Sequence, residues 1–250
     1  MTAASDTPKP VVAVTGASRG IGHAIVRQFY ARGWDVITLA RTPFSTVCPW
    51  AEGIVKHIEV NLSDLDSVRA AAAALRGQLD QRGLSALVNN AGISPKTPGG
   101  GRMDAISTPV DTFYDVTTVN LIAPLVLCQE LIEPLKTAKG AIVNISSIAG
   151  SRVHPFAGAA YAASKAALSA LTRELAHDLA PFGVRVNAVA PGEIATDILS
   201  PGTERIVEEQ VPMRRLGRPE EVAEVVAFLA GRQSSYVTGS EIPINGGQHI

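Results

Sequence analysis

One stretch decides the fold of this 250-residue chain: Val11-Val12-Ala13-Val14-Thr15-Gly16-Ala17-Ser18-Arg19-Gly20-Ile21-Gly22. Its first five residues form a short apolar run, which is typical of a strand buried on both faces of a parallel sheet. From Ile21 onward the apolar residues change to helical spacing, and Gly33 follows where a helix would stop. The stretch therefore predicts a strand, a glycine-rich turn and a helix in direct succession.

Strands and helices continue to alternate along the rest of the chain. Apolar runs predict strands at 35–40, 54–60, 86–89, 141–145, 184–189 and 236–244, and helical patterns lie at 64–79, after Pro109, at 161–179 and after Pro219. Because parallel neighbours need crossover connections, we expect a single-domain, Rossmann-like α/β fold, a doubly wound parallel sheet with helices on both faces. This domain should span residues 11–250 behind a flexible tail at 1–10, with an irregular connection at 42–53.

The composition excludes several classes of protein. Lys and Arg number 22 against 23 Asp and Glu, so no basic field is present to hold nucleic acid. Only 18% of the residues are charged, which is consistent with buried subunit contacts. Cys48 and Cys128 have no metal-ligand spacing, and no metal site is predicted. Without a signal sequence or a run of about 18 apolar residues, we expect a cytoplasmic protein with no membrane segment.

Three glycines follow the first strand with the spacing G-x-x-x-G-x-G, at Gly16, Gly20 and Gly22. Glycines let the backbone approach a pyrophosphate, whose charge is attracted by the free N–H groups of a helix N-terminus. The pattern therefore favours a dinucleotide site. The same turn also matches the G-x-S-x-G elbow of serine hydrolases, with Ser18 as the nucleophile. That alternative is weak because little chain precedes the turn and the only histidine near the C-terminus is His249.

Tyr161 and Lys165 lie four residues apart in a helical pattern, so their side chains share one face. A nearby ammonium favours phenolate and lowers the tyrosine pKa from about 10, which makes the phenol a usable proton donor or acceptor. Ser147 follows the strand at 141–145, at the edge where ligands of α/β sheets bind. Its hydroxyl could hold a substrate oxygen beside Tyr161, although the neighbouring Ser146 is a rival for that role.

Five motifs occur in order along the chain: TGASRGIG at 15–22, NNAG at 89–92, Ser147, YAASK at 161–165, and Pro191-Gly192. In this combination the chain resembles the short-chain dehydrogenase/reductase family, and it is similar to bacterial 3-oxoacyl-acyl-carrier-protein reductases and to sugar, alcohol and diol dehydrogenases. The resemblance covers Val11 to about Gly247. It implies hydride transfer between a nicotinamide cofactor and the carbonyl or secondary alcohol of a small molecule, in a homotetrameric enzyme.

The resemblance also implies roles for individual residues. Tyr161 is the general acid/base, Lys165 binds the nicotinamide ribose and lowers the tyrosine pKa, Ser147 orients the substrate, and Asn120 holds a water of the proton relay. The residues expected around the cofactor, besides Tyr161 and Lys165, are Gly16, Ser18, Arg19, Gly20, Ile21, Gly22, Arg41, Asn61, Leu62, Asn90, Ala91, Gly92, Pro191, Gly192, Ile194 and Thr196. A dinucleotide-sensing regulator without catalysis is the alternative, and the presence of the catalytic set argues against it.

The second predicted strand ends at Arg41, without the acidic residue that binds the ribose 2′-hydroxyl of NAD. Arg41 and Arg19 could instead hold a 2′-phosphate, so we expect NADP(H), with NAD(H) as the alternative. Asn61 stands where the family commonly has Asp beside adenine, and its amide oxygen could accept a bond from the adenine amino group. Substrate identity should be set by residues 94–108, 147–160 and 195–216. His154 and Phe156 could face the pocket, although a lone histidine and phenylalanine in a loop more often serve packing.

Overall fold

The computed structural model describes residues 8–44, 48, 51–53, 55–79, 81–196, 199–200 and 202–250. Seven strands form one sheet: β1 (Val11–Thr15), β2 (Asp35–Ala40), β3 (Lys56–Glu59), β4 (Ala86–Asn89), β5 (Ala141–Ile145), β6 (Arg185–Pro191) and β7 (Glu241–Ile244). The α-helices of the described residues are α1 (Gly20–Ala31), α2 (Leu65–Gln78), α3 (Val110–Thr117), α4 (Ala123–Glu130), α5 (Ile132–Ala138), α6 (Ala159–Leu179), α7 (Thr203–Gln210) and α8 (Pro219–Ala230).

All strand pairs are parallel, and their order in the sheet is β3-β2-β1-β4-β5-β6-β7. Side chains alternate across a strand, so Val11 and Ala13 of β1 pack on one face of the sheet and Val12 and Val14 on the other. Apolar residues of α2, α4, α5 and α6 cover the first face, and those of α1 and α8 cover the second. The predicted single-domain, Rossmann-like fold is confirmed.

Several boundaries differ from the prediction. β6 continues to residue 191 and β7 begins only at residue 241, because a turn containing the left-handed Gly239 occupies the start of the predicted strand. α7 was not predicted. Of the predicted tail, residues 1–7 lie outside the described residues, and so do 45–47, 49 and 50 of the predicted irregular connection and residue 54 of the predicted third strand.

The long helix predicted after Pro109 is interrupted by a π-helical turn at Thr118–Ile122, between α3 and α4. Pro124 accounts for the interruption, because proline has no N–H to donate to the carbonyl of Asn120, four residues earlier. The N–H of Ala123 bonds instead to the carbonyl five residues before it. The wider turn places the side chain of Asn120 in the interior, where it is fully buried.

The stretch 110–130 that contains this turn is long and apolar enough to span a membrane by length and composition, and it is the one such stretch among the described residues. Within the fold, however, α3 packs against α6 and α4 packs against α2. Val116 and Leu127 are fully buried in these contacts. The apolar character of the stretch is therefore that of a core helix.

Candidate active site

The turns that follow β1 and β4 are locked to each other at the carboxyl edge of the sheet. Thr15 Oγ1 accepts hydrogen bonds from the backbone N–H groups of Asn90 and Ala91, both at 3.0 Å. The side chain of Asn90 donates in return to the carbonyls of Thr15 and Gly16, at 3.0 and 2.9 Å. These four hydrogen bonds bring two of the predicted cofactor segments together.

Gly16 and Gly22 are required by close backbone packing in the first turn. Gly16 has a φ of +66°, and a Cβ at this position would lie 2.8 Å from the Cα of Ala91. A Cβ on Gly22 would lie 2.2 Å from the carbonyl oxygen of Gly16. α1 begins at Gly20 with no side-chain cap and no acidic residue in its first turn, so its N–H groups remain for an anion. The turn therefore fits a pyrophosphate.

The hydrolase alternative finds no support at this turn. Ser18 makes no side-chain hydrogen bond to a histidine or a carboxylate among the residues that the structure describes. The ring of His249 is engaged elsewhere, because its Nδ1 lies 2.8 Å from Oδ1 of Asn245. A serine nucleophile needs a base within hydrogen-bond reach, and Ser18 has none in the described chain.

Tyr161 and Ser147 meet beside the end of β5. Tyr161 lies in the first turn of α6 and shares the wall of a cavity with Ser147, whose side chain acts to lower the pKa of the phenol by hydrogen bonding. Ser147 caps the 3-10 turn at 148–150, where its Oγ accepts from the N–H of Ala149 at 3.2 Å. Ser146 is buried, and its Oγ lies 2.8 Å from that of Ser169. Ser147, and not its rival Ser146, therefore faces the tyrosine.

Lys165 is a buried cation one turn further along α6. Its side chain is 3% exposed, and its Nζ donates to the carbonyl of Ile145 at 2.6 Å and lies 5.7 Å from the centroid of the Tyr161 ring. Burial lowers the pKa of Lys165 to about 8. An ammonium has three N–H donors and Ile145 takes one of them, so further oxygen acceptors would stabilise its charged form.

Asn120 ties the loop after β4 to α6. Its Oδ1 accepts from the N–H of Ile93 at 2.8 Å, and its Nδ2 donates to the Ile93 carbonyl and to Ser164 Oγ, both at 3.0 Å. A Cβ on Gly92 would lie 3.3 Å from both Asn120 Oδ1 and Lys165 Nζ. The bare backbone of Gly92 therefore leaves room beside the lysine amine and the asparagine oxygen.

Without a bound dinucleotide, the phenol of Tyr161 is less acidic than the sequence predicts. Burial raises the pKa of Tyr161 above its ordinary value, and the hydrogen bond with Ser147 opposes that rise. In the chain alone the net shift of the Tyr161 pKa is therefore upward, opposite to the predicted lowering. The physical reason is that desolvation of the phenolate is the larger effect, while the lysine amine is directed to the carbonyl of Ile145.

The segment after β6 lies against the glycine-rich turn. Pro191 is the last residue of β6, and Gly192 follows it in the lining of a cavity described below. Ile194 is buried, and Thr196 is close enough that a Cβ on Gly20 would lie 3.2 Å from its Cγ2. The structure therefore brings the third predicted cofactor segment to the same edge as the first two.

Two arginines lie at the start of α1 and just beyond β2. Arg19 and Arg41 are both exposed, and neither forms a side-chain hydrogen bond or ion pair within the described part of the chain. Asn61, by contrast, has its Oδ1 engaged, because it accepts from the N–H and the hydroxyl of Ser63 at 3.3 and 2.8 Å. Its bond to the adenine amino group stays a prediction, in which that group would share the oxygen with Ser63.

A cavity of about 150 Å³ opens beside Ser147 and Tyr161. All three segments predicted to set substrate identity contribute to its wall, which is formed by Ser94, Lys96, Ser147, Ile148, Ala149, His154, Phe156, Ala157, Tyr161, Gly192, Glu193, Leu199, Ser200 and Thr203. Residues 197, 198 and 201 of the third segment lie outside the described residues.

Four residues of this wall were not among the predicted site residues: Lys96, His154, Phe156 and Glu193. His154 and Phe156 were left out because an isolated histidine and phenylalanine in a loop usually pack, although they could also face the pocket. The missed signal is that the loops after β4, β5 and β6 carry ionisable residues, Lys96, His154 and Glu193 among them, a few positions beyond a predicted cofactor or catalytic motif. In a parallel sheet those loops meet at one edge.

Comparison with known proteins places the chain in a family. The family model described as Enoyl-(Acyl carrier protein) reductase matches residues 16–249. Protein FixR of Bradyrhizobium diazoefficiens is 55% identical over 241 residues, which cover 96% of this chain and 87% of that protein. A Brucella ovis oxidoreductase of the short chain dehydrogenase/reductase family, solved in complex with a partially ordered NAD, is 50% identical, with a TM-score of 0.81 and coverage of 95% of this chain and 100% of the other.

A blue fluorescent protein from a metagenomic library, solved in complex with NADPH, is 32% identical, with a TM-score of 0.86 and coverage of 96% of this chain and 98% of the other. The extent of the family match and the identities over nearly the whole chain agree with the motifs and the fold. The chain belongs to the short-chain dehydrogenase/reductase family and is an oxidoreductase.

The hydrogen bonds between the turns after β1 and β4 predict a loss of stability when the hydroxyl of Thr15 is removed. Thr15→Val keeps the shape of the side chain but leaves the N–H groups of Asn90 and Ala91 without their acceptor, so the free energy of unfolding should fall by about 2 kcal/mol. Urea unfolding measures this change. Thr15→Ser keeps the hydroxyl and serves as the matched control. Equal stability of the serine and valine variants would contradict the role of the hydroxyl.

Proposed function

We propose that the protein is an NADP(H)-dependent oxidoreductase that interconverts a carbonyl and a secondary alcohol, with Tyr161 as the general acid/base. The observation that carries the proposal is that Tyr161 and Ser147 line one cavity, with the buried amine of Lys165 lying 5.7 Å from the centroid of the Tyr161 ring. A solvated helix face would require neither the burial of Lys165 nor a cavity wall shared with Ser147.

The described residues fit a nicotinamide dinucleotide. The glycine-rich turn leaves backbone space and free N–H groups for the pyrophosphate, and Gly92 leaves space next to Lys165, whose two remaining N–H donors suit the ribose hydroxyls. The segment from Pro191 to Thr196 would face the nicotinamide. When bound, the dinucleotide supplies or accepts the hydride at C4 of its nicotinamide ring.

The chain itself supplies position and a proton. In the direction of reduction, the Tyr161 hydroxyl donates its proton to the substrate oxygen as hydride reaches the carbonyl carbon, and the resulting phenolate is stabilised by the positive charge on Lys165. In the direction of oxidation the phenolate takes the alcohol proton back. Ser147 holds the reacting oxygen beside Tyr161 and thereby orients the substrate. Because burial alone raises the pKa of Tyr161, the positive charge of Lys165 and of an oxidised nicotinamide must act together to lower it.

Asn120 contributes to the proton relay as a positioning residue. Its side-chain amide is committed to Ile93 and Ser164, so it fixes the wall next to Lys165. Its backbone carbonyl cannot receive an α-helical hydrogen bond from Pro124, which has no N–H. We infer that this carbonyl, and not the side chain, holds the water through which Lys165 exchanges protons.

The preference for NADP(H) rests on Arg19 and Arg41. Both guanidinium groups are exposed and without partners in the described chain, which suits two cations that bind a 2′-phosphate. The NAD in the Brucella ovis relative favours NAD(H) as the second candidate. On the adenine side, the amide nitrogen of Asn61 can still donate to a ring nitrogen of adenine, and Leu62 supplies an apolar contact.

We further propose a cytoplasmic homotetramer. Apolar side chains that a monomer leaves exposed support an assembly, among them Val110 and Tyr114 on α3, at 65% and 68% exposure, and Phe228 on α8, at 40%. α3 and α8 lie at different parts of the surface, which is compatible with two separate interfaces.

Replacing the phenol tests the proposed chemistry. Tyr161→Phe removes the transferred proton, so carbonyl reduction should fall by at least about 100-fold while the affinity for the dinucleotide stays within about 3-fold. Nicotinamide absorbance measures turnover, and fluorescence titration measures binding. The control is Tyr236→Phe, a change at a fully exposed tyrosine that should leave both quantities unaltered. Substantial turnover by the Tyr161 variant would contradict the proposed role. If the wild type reduced none of the carbonyl compounds tested, a dinucleotide-sensing regulator without catalysis would be favoured instead.

The cofactor assignment predicts a selective effect at Arg41. Arg41→Ala removes a charged donor to the 2′-phosphate, so the Kd for NADPH should rise about 10-fold while the Kd for NADH changes by less than about 2-fold. Isothermal titration with each dinucleotide measures both values. Arg232→Ala, at an exposed arginine near the end of α8, is the control. A parallel change for the two dinucleotides would refute the assignment.

A further inference from the structure

Three ionisable side chains converge on the wall of the cavity beside Tyr161. Lys96 comes from the loop after β4, His154 from the loop after β5, and Glu193 from the segment after β6. Glu193 is 9% exposed, which is unusual for a carboxylate. Neither the proton transfer nor the dinucleotide site uses these three residues.

Both ring nitrogens of His154 are engaged. The backbone N–H of Phe156 donates to its Nδ1 at 3.2 Å. The opposite nitrogen, Nε2, lies 2.5 Å from Oε1 of Glu193, within hydrogen-bond distance. His154 therefore holds the Glu193 carboxylate in the cavity wall.

The wall carries two side chains of opposite charge type, the amine of Lys96 and the carboxylate of Glu193. The ammonium of Lys96 donates to the carbonyl of Phe156, which leaves two donors, and the Glu193 carboxylate keeps acceptor sites beyond its bond to His154. The cavity thus offers both an acceptor and donors for hydrogen bonds, beside the pair Ser147 and Tyr161, in a space for about five water molecules.

We propose that Glu193, held in place by His154, determines substrate specificity by accepting a hydrogen bond from a second hydroxyl group of a small, uncharged hydroxycarbonyl compound or of the corresponding diol. This inference rests on the proposed function, because Tyr161 and Ser147 are taken to hold the reacting oxygen. Lys96 would donate to the same second hydroxyl from the other side. The small space requires the second hydroxyl to lie on a carbon adjacent or close to the reacting one.

Other substrate classes fit this wall less well. A substrate carboxylate would face Glu193 as well as Lys96, and a substrate ammonium would face Lys96 as well as Glu193, so neither ion gains a clear electrostatic advantage in this wall. An apolar acyl chain would cover the Glu193 carboxylate without replacing its hydrogen bonds to water. A wall with buried polar groups discriminates strongly against analogues that lack the matching hydroxyl, by far more than an apolar wall does.

The test compares matched carbonyl compounds with saturating NADPH or NADH. The panel consists of acetoin, 2-butanone, which is acetoin without its hydroxyl, acetoacetate as the anion, and an acetoacetyl thioester of N-acetylcysteamine. The wild type should reduce acetoin with a kcat/KM at least about 100-fold above that for 2-butanone. In Glu193→Gln that ratio should fall by at least about 10-fold, and the remaining ratio reports the intrinsic difference in carbonyl reactivity.

Two variants of His154 separate positioning from general damage to the fold. His154→Gln keeps an amide donor towards Glu193 and should retain most of the ratio, whereas His154→Phe should lose it. Damage to the fold lowers both rates together and leaves the ratio unchanged. Glu174→Gln, at an exposed glutamate of α6, is the matched control and should match the wild type.

The outcomes distinguish the two proposals. Turnover with acetoin and 2-butanone within about 3-fold of each other, a preference for the thioester or for acetoacetate, or a ratio unaffected by Glu193→Gln would overturn the specificity role while leaving the proposed function intact. Reduction of no compound in the panel by the wild type would contradict the proposed function and this inference with it.

Discussion

The burial of one positive charge is the constraint to which the rest of the site is fitted. Lys165 is 3% exposed, and the carbonyl of Ile145 is the single hydrogen-bond partner of its amine within the described chain. An ammonium in such a place is costly unless more oxygen atoms surround it, and the low pKa of about 8 reflects that cost. A side chain at position 92 would fill the space that those oxygen atoms need. The charged form of Lys165 is therefore stable chiefly when a bound ligand adds oxygen acceptors around its amine.

A buried network of hydrogen bonds fixes the position of α6 relative to the sheet, and with it the position of Lys165. Asn89 at the end of β4 donates to Oδ1 of Asn144 on β5, and Asn144 donates to Thr172 on α6, both at 2.9 Å. All three side chains are at least 98% buried. Because each polar group lost from such a chain leaves another without a partner, the network resists displacement of the helix. Catalytic position thus depends on hydrogen bonds well outside the site.

The sequence predicted those parts of the molecule that depend on local pattern. The strand, turn and helix at 11–33 follow from apolar spacing and glycines, and the pair Tyr161 and Lys165 follows from helical periodicity. The π turn could have been foreseen from Pro124, but its effect on Asn120 depends on packing. The pKa of Tyr161 was predicted in the wrong direction, because spacing reports that an ammonium is near and says nothing of how strongly the phenol is desolvated. The pairing of His154 with Glu193 was not predicted because it joins residues 39 positions apart.

Titration of the Lys165 amine measures directly how far its buried charge depends on a bound ligand. Isotope-labelled lysine allows an NMR titration of the amine, with the signal assigned by its loss in Lys165→Met. We expect a pKa near 8 for the chain alone and a higher pKa once NADPH is bound, since oxygen acceptors around the amine favour its charged form. An ordinary lysine pKa in the chain alone, or a pKa that does not respond to the dinucleotide, would contradict this expectation.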